Sequence, residues 1–180
     1  MKKIKRTVIL LSLLTTSAMS QNGTATIADL PPELQEALKR DSACEKAASA
    51  TSPEPDQLLQ DPIVTQEIRG AAGAEVGVIV AQQGACHCRE ANCATYVYLK
   101  DGPGYRLVFS HIFSSLHPMK VFKRGYPSLT GKVRLDESRA ETTVYDWTGS
   151  DYQPSLCATI TRVKGQKRPA IVKHECANLP

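Results

Sequence analysis

The sequence predicts a mainly antiparallel β fold of the α+β class, a sandwich or an incomplete barrel of hairpins, with one helix near the N-terminus. Three features of the 180 residues indicate this. Short runs of alternating apolar and polar residues, separated by turn residues, follow one another from Ile63 onward. A single apolar stripe at helical spacing precedes them. The even number of cysteines, six, indicates disulfide crosslinks.

The first 20 residues predict a cleaved secretory signal peptide. Residues 1–6 are basic, residues 7–15 are apolar, and the small residues Ala18 and Ser20 place the cleavage before Gln21. The apolar stretch is far shorter than the roughly 20 residues that span a bilayer. We therefore expect a periplasmic or extracellular protein without a transmembrane anchor.

The charge of the chain changes when the predicted signal peptide is removed. Four of the 22 basic residues lie in residues 1–20, so the remainder carries 18 basic and 18 acidic residues. Its two parts differ in sign, with a net charge of −6 over residues 21–80 and +6 over residues 81–180. No basic cluster is interleaved with aromatic residues, so the sequence does not indicate nucleic-acid binding.

Residues 21–62 are expected to form the N-terminal helix and a linker. Asp29 is the predicted N-cap, and the prolines at positions 31 and 32 suit a first helical turn, where backbone amides have no partner. Residues 47–62 are rich in Ala, Ser and Pro, which is typical of a linker. The apolar stripe of the helix consists of Leu34, Ala37 and Leu38.

The disulfide-bonded β domain is predicted to comprise residues 63–180. Its strands are rich in β-branched and aromatic residues and are bounded by glycine, proline and polar turn residues. The turn between the last two strands is centred near Gln166. The expected strands are residues 63–69, 75–81, 94–100, 105–109, 120–124, 132–135, 141–147, 155–163 and 169–176.

Three disulfides are predicted. Facing residues of an antiparallel pair have a constant sum of their numbers, and the turn near Gln166 places Cys157 opposite Cys176. Cys88 and Cys93 flank a short loop that a disulfide can close. Cys44 is left for Cys86, which ties the helix to the β domain. Exchange of partners among the three cysteines between positions 86 and 93 stays open.

A metal site is the alternative use of these cysteines. The run Cys86-His87-Cys88, followed by Cys93, brings soft ligands together. Its CxC-x4-C spacing is not one that structural zinc sites use, and exported thiols are normally oxidised. We therefore expect neither a metal nor another cofactor. The histidines that would complete such a site are His111, His117 and His174.

A hairpin pattern, V-Y-x-x-x-G-x-x-Y, occurs twice in the chain. It begins at Val97 and again at Val144, an offset of 47 residues. Each copy predicts a strand, a turn that needs glycine, and a return strand that opens with tyrosine. The matches indicate either a duplicated hairpin unit or two separate hairpins that share the same turn residues.

This hairpin pattern resembles the exported bacterial β-repeat domains of the FG-GAP and VCBS kind. In those domains a strand such as residues 75–80 follows an acidic calcium loop. Residues 70–75 lack the D-x-D-x-D-G carboxylates of that loop. The resemblance thus implies an exported β-hairpin fold without calcium binding.

No common catalytic motif is present, since G-x-S-x-G, G-x-x-x-x-G-K-[ST] and G-x-G-x-x-G are all absent. His111 and His117 are the candidates for an acid–base pair near neutral pH, which gives a small envelope hydrolase as an alternative function. The sequence shows no activated nucleophile beside them. A non-catalytic role is therefore favoured, and no catalytic residue is predicted.

The expected function is that of an exported, non-catalytic binding protein, of which an inhibitor of an envelope or host enzyme is one form. Small disulfide-bonded β domains present rigid loops to a partner, here a protein or a component of the cell envelope. The expected binding residues are Tyr105 and Tyr152, in the two matched turns, and the nearby Trp147. A Cys/His metal-binding protein is the remaining alternative.

Overall fold

The computed structural model of the protein describes residues 25–42, 59–84 and 87–176. They form two antiparallel sheets of six and five strands and one short N-terminal helix, which confirms the predicted fold class. Within these residues the sheets do not close into a barrel. The predicted signal peptide, Cys44, Cys86 and most of the predicted linker lie outside the described residues.

The N-terminal helix begins after two consecutive prolines. Helix α1 spans Pro32–Asp41 and has Pro31 as its N-cap; proline suits this start because it has no amide hydrogen to leave unpaired. Asp29 does not cap α1, contrary to the prediction, because it ends a separate 3₁₀ turn, Ile27–Asp29. Its carboxylate instead accepts hydrogen bonds from the amide and hydroxyl of Thr26, at 2.7 and 3.0 Å.

The first sheet is built around one long central strand. Its strands are β1 (Ala25–Thr26), β2 (Pro62–Arg69), β3 (Glu75–Gln82), β4 (Cys88–Arg89), β5 (Asn92–Asp101) and β6 (Gly104–Phe113). Strand β5 is central, with β3 on one side and β6 on the other, and the short β4 folds back on its beginning. Strands β2 and β1 extend the sheet beyond β3.

The second sheet is a meander in which each strand pairs with the next. Its strands are β7 (Ser115–Lys123), β8 (Tyr126–Arg134), β9 (Arg139–Trp147), β10 (Tyr152–Thr161) and β11 (Ala170–His174). The chain passes from one sheet to the other at Ser114. The amide and the hydroxyl of Ser114 both donate to the carbonyl of Lys132 at 2.8 Å, which fixes the crossing point against β8.

The two sheets and the helix form three layers with two apolar cores. Strand β5 contributes to both, since Val97 and Leu99 face the second sheet whereas Tyr96 and Tyr98 face α1. The core between the sheets contains Ile68, Ile79, Val97, Leu99, Val108, Phe113, Leu116, Leu129, Tyr145, Trp147 and Tyr152. The core under α1 contains Ile27, Leu34, Ala37, Leu38, Ile63, Val80, Tyr96 and Tyr98.

The strands in the middle of the chain are longer than the sequence predicts. Strand β6 continues to Phe113 and β7 begins at Ser115, whereas the pattern predicts strands over 105–109 and 120–124. Phe113 and Leu116 are both buried between the sheets, so tertiary packing extends the strands to the crossing point. His111 and His117 consequently lie in strands.

Both copies of the hairpin pattern form hairpins, β5–β6 and β9–β10. Their tyrosines nevertheless face different cores, because Tyr98 packs under α1 and Tyr145 packs between the sheets. The first sheet is covered on both faces, so both Val97 and Tyr98 of the first copy are buried. In the second copy Tyr145 is buried and Val144 only partly so.

Two predicted disulfides lie within the described residues, and both are confirmed. Cys88 is bonded to Cys93 directly across the β4–β5 turn. Cys157 is bonded to Cys176, but its partner in the strand register is His174, so the predicted register was wrong by two residues. The cause is the turn of residues 162–169, whose centre lies earlier in the chain than predicted. The bond still forms because the two Cα atoms are 5.2 Å apart.

Replacing both Cys157 and Cys176 with alanine is expected to lower the free energy of unfolding by about 3 kcal/mol, because the bond closes a loop of intermediate length in the unfolded chain. Denaturant unfolding measures this loss. The matched control replaces Cys88 and Cys93, which are only five positions apart against 19 for the first pair. An equal or larger loss in the control would contradict the loop-closure explanation.

Gly131→Ala is expected to destabilise the protein by about 1–3 kcal/mol, as overpacking of a core does. A Cβ at Gly131 would lie 2.5 Å from Cε1 of Phe113, whose ring packs over this glycine between the sheets. Gly104→Ala is the control, since the nearest atom to its Cβ would be the Asp101 carbonyl oxygen at 3.9 Å. Thermal unfolding should leave the control within about 0.5 kcal/mol of wild type; similar losses in both variants would argue against this packing.

Candidate functional site

Two adjoining cavities at one end of the second sheet form a groove, with volumes of about 560 and 540 Å³. The groove lies between the β8–β9 and β10–β11 turns, and four residues line both of its parts: Glu137, Ser138, Arg162 and Pro169. We call it the basic groove because cations dominate its lining: Lys132, Arg134, Arg139, Arg162, Lys164, Lys167 and Arg168, against the carboxylates of Asp136 and Glu137.

Asn92 fixes one wall of the basic groove by joining the two sheets. Its side-chain amide donates to the carbonyl of Arg134 and its side-chain oxygen accepts from the amide of Arg134, both at 2.8 Å. Asn92 is only 9% exposed, so this double hydrogen bond is shielded from water. The Cys88–Cys93 disulfide closes the same β4–β5 turn. Arg134 therefore extends from a rigid part of the fold.

Asp136 organises the β8–β9 turn. Its carboxylate accepts hydrogen bonds from Arg139 Nε at 2.6 Å and from the amides of Ser138 and Arg139 at 2.8 and 2.7 Å. The Arg139 guanidinium foremost, then Ser138, holds the pKa of Asp136 well below its ordinary value. The charge of Asp136 is thus engaged inside the turn.

The remaining cations of the basic groove form no ion pair with any described residue, although Arg134 Nε donates to the backbone carbonyl of Asp136 at 3.3 Å. Of its seven basic side chains, only Arg139 forms an ion pair within the part of the chain that the structure describes. The other six are exposed, and they converge on one concave surface. Like charges arranged in this way raise the local positive potential, which attracts anions and is weakened by salt.

The predicted binding residues Trp147 and Tyr152 lie in the core. They are 6% and 2% exposed, and their ring centroids are 5.2 Å apart. Tyr105 is partly buried and packs against the core under α1. The structure does bring the two matched turns together, since Arg106 Nη1 donates to the carbonyl of Ser150 at 3.3 Å. What these turns expose is polar backbone and charge rather than aromatic rings.

Of the candidate acid–base pair, His117 lines a third cavity of about 310 Å³, and His111 is not among the residues that line it. His117 Nδ1 lies 2.9 Å from Gln66 Oε1. Burial lowers the pKa of His111, an effect that the charge of Glu141 partly opposes. Among the described residues, no hydrogen bond joins either histidine to a serine, threonine or cysteine side chain.

His87, considered from the sequence only as a metal ligand, has a different role. Its side chain is fully buried, and Nε2 lies 3.2 Å from Oδ2 of Asp61. Burial lowers the pKa of His87, and Asp61 partly opposes this. The pair ties the beginning of β2 to the β3–β4 connection. Only the tertiary structure reveals this contact, because 26 residues separate the two side chains.

The described residues hold no group of three or more His, Cys, Asp or Glu side chains that could bind a metal ion. Cys88 and Cys93 are bonded to each other, so neither sulfur is a thiolate ligand. The two disulfides indicate an oxidising environment. None of the described helices is long and apolar enough to span a bilayer.

Comparison with known proteins gives no match to a family model, to a curated protein sequence or to a solved structure.

Asp136→Ala is expected to lower the melting temperature at pH 7, because the variant loses the carboxylate that holds the β8–β9 turn. The folded-state pKa of Asp136 is depressed below its ordinary value of 3.8, so its contribution is complete above that value and declines as the pH falls below it. The difference in melting temperature between Asp136→Ala and wild type should consequently become smaller below about pH 4.

Glu137→Ala is the matched control, because Glu137 occupies the same turn and makes no hydrogen bond or ion pair within the described residues. Thermal melts of both variants between pH 3 and pH 7 test the expectation. The role assigned to Asp136 would be contradicted if the difference in melting temperature between Asp136→Ala and wild type stayed constant with pH. It would also be contradicted if Glu137→Ala showed the same pH-dependent difference.

Proposed function

We propose that the protein is an exported, non-catalytic binding protein that holds an anionic partner in its basic groove. The observation that carries this proposal is the groove's charge: seven cations face two carboxylates, and one of those carboxylates is already engaged by Arg139. An accumulation of like charge on one concave surface costs stability through self-repulsion. A bound anion relieves that repulsion, so the groove favours the occupied state.

Export is the second part of the proposal. The predicted signal peptide at residues 1–20 and the two disulfides both point to the periplasm or the extracellular space. The partner is then a protein or an envelope component that carries negative charge. Inhibition of an envelope or host enzyme is one form that such binding takes.

Rigidity is the third consideration. The Asn92–Arg134 hydrogen bonds and the Asp136 turn fix the groove on its β8 side, and the Cys157–Cys176 disulfide crosslinks the β10–β11 hairpin at the end opposite its turn. A surface that is ordered before binding loses little conformational entropy when the partner arrives. This suits recognition of a partner and does not require catalytic groups.

The double variant Arg134→Gln/Arg162→Gln is expected to bind polyglutamate at least about tenfold more weakly than wild type at low salt, because two groove cations are lost. Raising the salt concentration should weaken wild-type binding strongly. Fluorescence anisotropy of labelled polyglutamate measures both effects, and polyphosphate is a second anionic probe.

The matched control is Lys100→Gln/Lys123→Gln, which removes the same charge elsewhere on the surface, where these lysines pair with Glu75 and Asp146. Binding by the control should stay within about twofold of wild type, since nonspecific attraction to net charge is the only contribution it changes. Equal losses in the two double variants, or no binding of either polyanion at low salt, would refute the groove as the binding site.

A further inference from the structure

We propose that the partner presents an extended acidic polypeptide segment, which adds as a new strand along the free edge of β11 and places its carboxylates in the basic groove. This inference rests on the proposed function, since it names the chemistry of the anionic partner.

Strand β11 has one edge with which no strand of the described residues pairs. On one side it pairs with β10, in a register that runs from Thr161 opposite Ala170 to Cys157 opposite His174. On its other side no strand lies within the described residues, and all five of its residues are exposed. Alternate residues of an antiparallel strand direct their amide and carbonyl groups to the same side. The free edge therefore offers a row of backbone donors and acceptors to an added strand.

The two edges of the second sheet differ in how well they are protected. Strand β7, at the opposite edge, contains Pro118 and an irregular register between Pro118 and Phe122, features that discourage strand addition. Strand β11 pairs regularly along its whole length and contains no proline. Its apolar residues Ile171 and Val172 are 61% and 62% exposed, one on each face of the strand. These side chains gain apolar cover when a strand is added beside them.

The charge around β11 identifies the added strand as acidic. The hairpin segment of residues 161–174 contains five basic residues and no carboxylate: Arg162, Lys164, Lys167, Arg168 and Lys173. The basic groove ends at Pro169, immediately before β11 begins at Ala170. A segment paired with β11 that extends past Ala170 therefore reaches the β10–β11 turn, where the groove cations Arg162, Lys164, Lys167 and Arg168 face its carboxylates.

The Cys157–Cys176 disulfide prepares β11 for this role. It joins β10 to the chain two residues beyond the end of β11, and the two Cα atoms are 5.2 Å apart. A short edge strand held at its end cannot fray at that end, so an incoming strand meets an ordered template. At the other end of the hairpin, every residue of the turn from 162 to 169 is exposed to solvent.

Two synthetic peptides of alternating glutamate and valine, identical except that one is N-methylated at alternate backbone amides, test strand addition on the wild-type protein. N-methylation removes the edge hydrogen bonds without changing charge or side chains. The unmodified peptide is expected to bind at least about tenfold more tightly. It should also slow hydrogen exchange at alternate amides of residues 170–174, and polyphosphate should not.

Val172→Glu provides the test on the protein side, because a carboxylate on β11 repels an acidic strand; its affinity for the unmodified peptide should fall at least about tenfold. The matched control is Val121→Glu on β7, where the valine is 49% exposed. The control should change affinity by less than about twofold, because β7 lies at the opposite edge of the sheet.

The outcomes separate this inference from the proposed function. If both peptides bind equally and Arg134→Gln/Arg162→Gln still weakens polyglutamate binding, strand addition is wrong and the anionic groove stands. If no polyanion binds at low salt, both proposals fail. If wild type forms a dimer that Val172→Glu dissociates and neither peptide disrupts, the occupant of the edge is a second copy of the chain and the acidic segment is overturned.

Discussion

The packing of the two sheets through a layer of aromatic side chains is the interaction on which the rest of the structure depends. Phe109 and Tyr145 come from different sheets, and their ring centroids are 4.7 Å apart. Phe113 fills the space over Gly131, where any side chain would collide with its ring. Aromatic rings bury large apolar areas, so a few of them suffice to hold two twisted sheets together. This explains why a chain with only 6% aromatic residues places most of them here.

The sheet packing also creates the basic groove. It brings the β4–β5 turn of the first sheet against β8, where Asn92 hydrogen-bonds the backbone of Arg134. The second sheet is formed entirely from the part of the chain with a net charge of +6. Its β8–β9 and β10–β11 turns lie at the same end because the strands form a simple meander. Cations that are far apart in the sequence therefore line one surface.

Much of the fold was predictable because it depends on local patterns. Each of the nine predicted strands overlaps an observed strand, and only the two-residue strands β1 and β4 were not predicted. The short loop between Cys88 and Cys93 and the hairpin around Gln166 identified two disulfides that are present. The predictions were wrong where a shift of one residue in a turn, or a short extra turn before a helix, changes which residues meet. Because the centre of the last turn lies earlier than predicted, the residue opposite Cys157 in the strand register is His174 instead of Cys176. Asp29 does not cap the helix because it belongs to a separate 3₁₀ turn that precedes the helix.

The sequence by itself determined the fold class, the hairpins and the uneven distribution of charge, because residue alternation, turn residues and composition act over short distances. Only the tertiary structure decided which surface is available for binding. Trp147 and Tyr152 have the chemistry of binding residues, yet the sheets bury them because apolar burial stabilises a small domain more than exposure of an aromatic ring does. The cations of the groove carry no local motif, and they became a candidate site only when sheet packing brought their turns together.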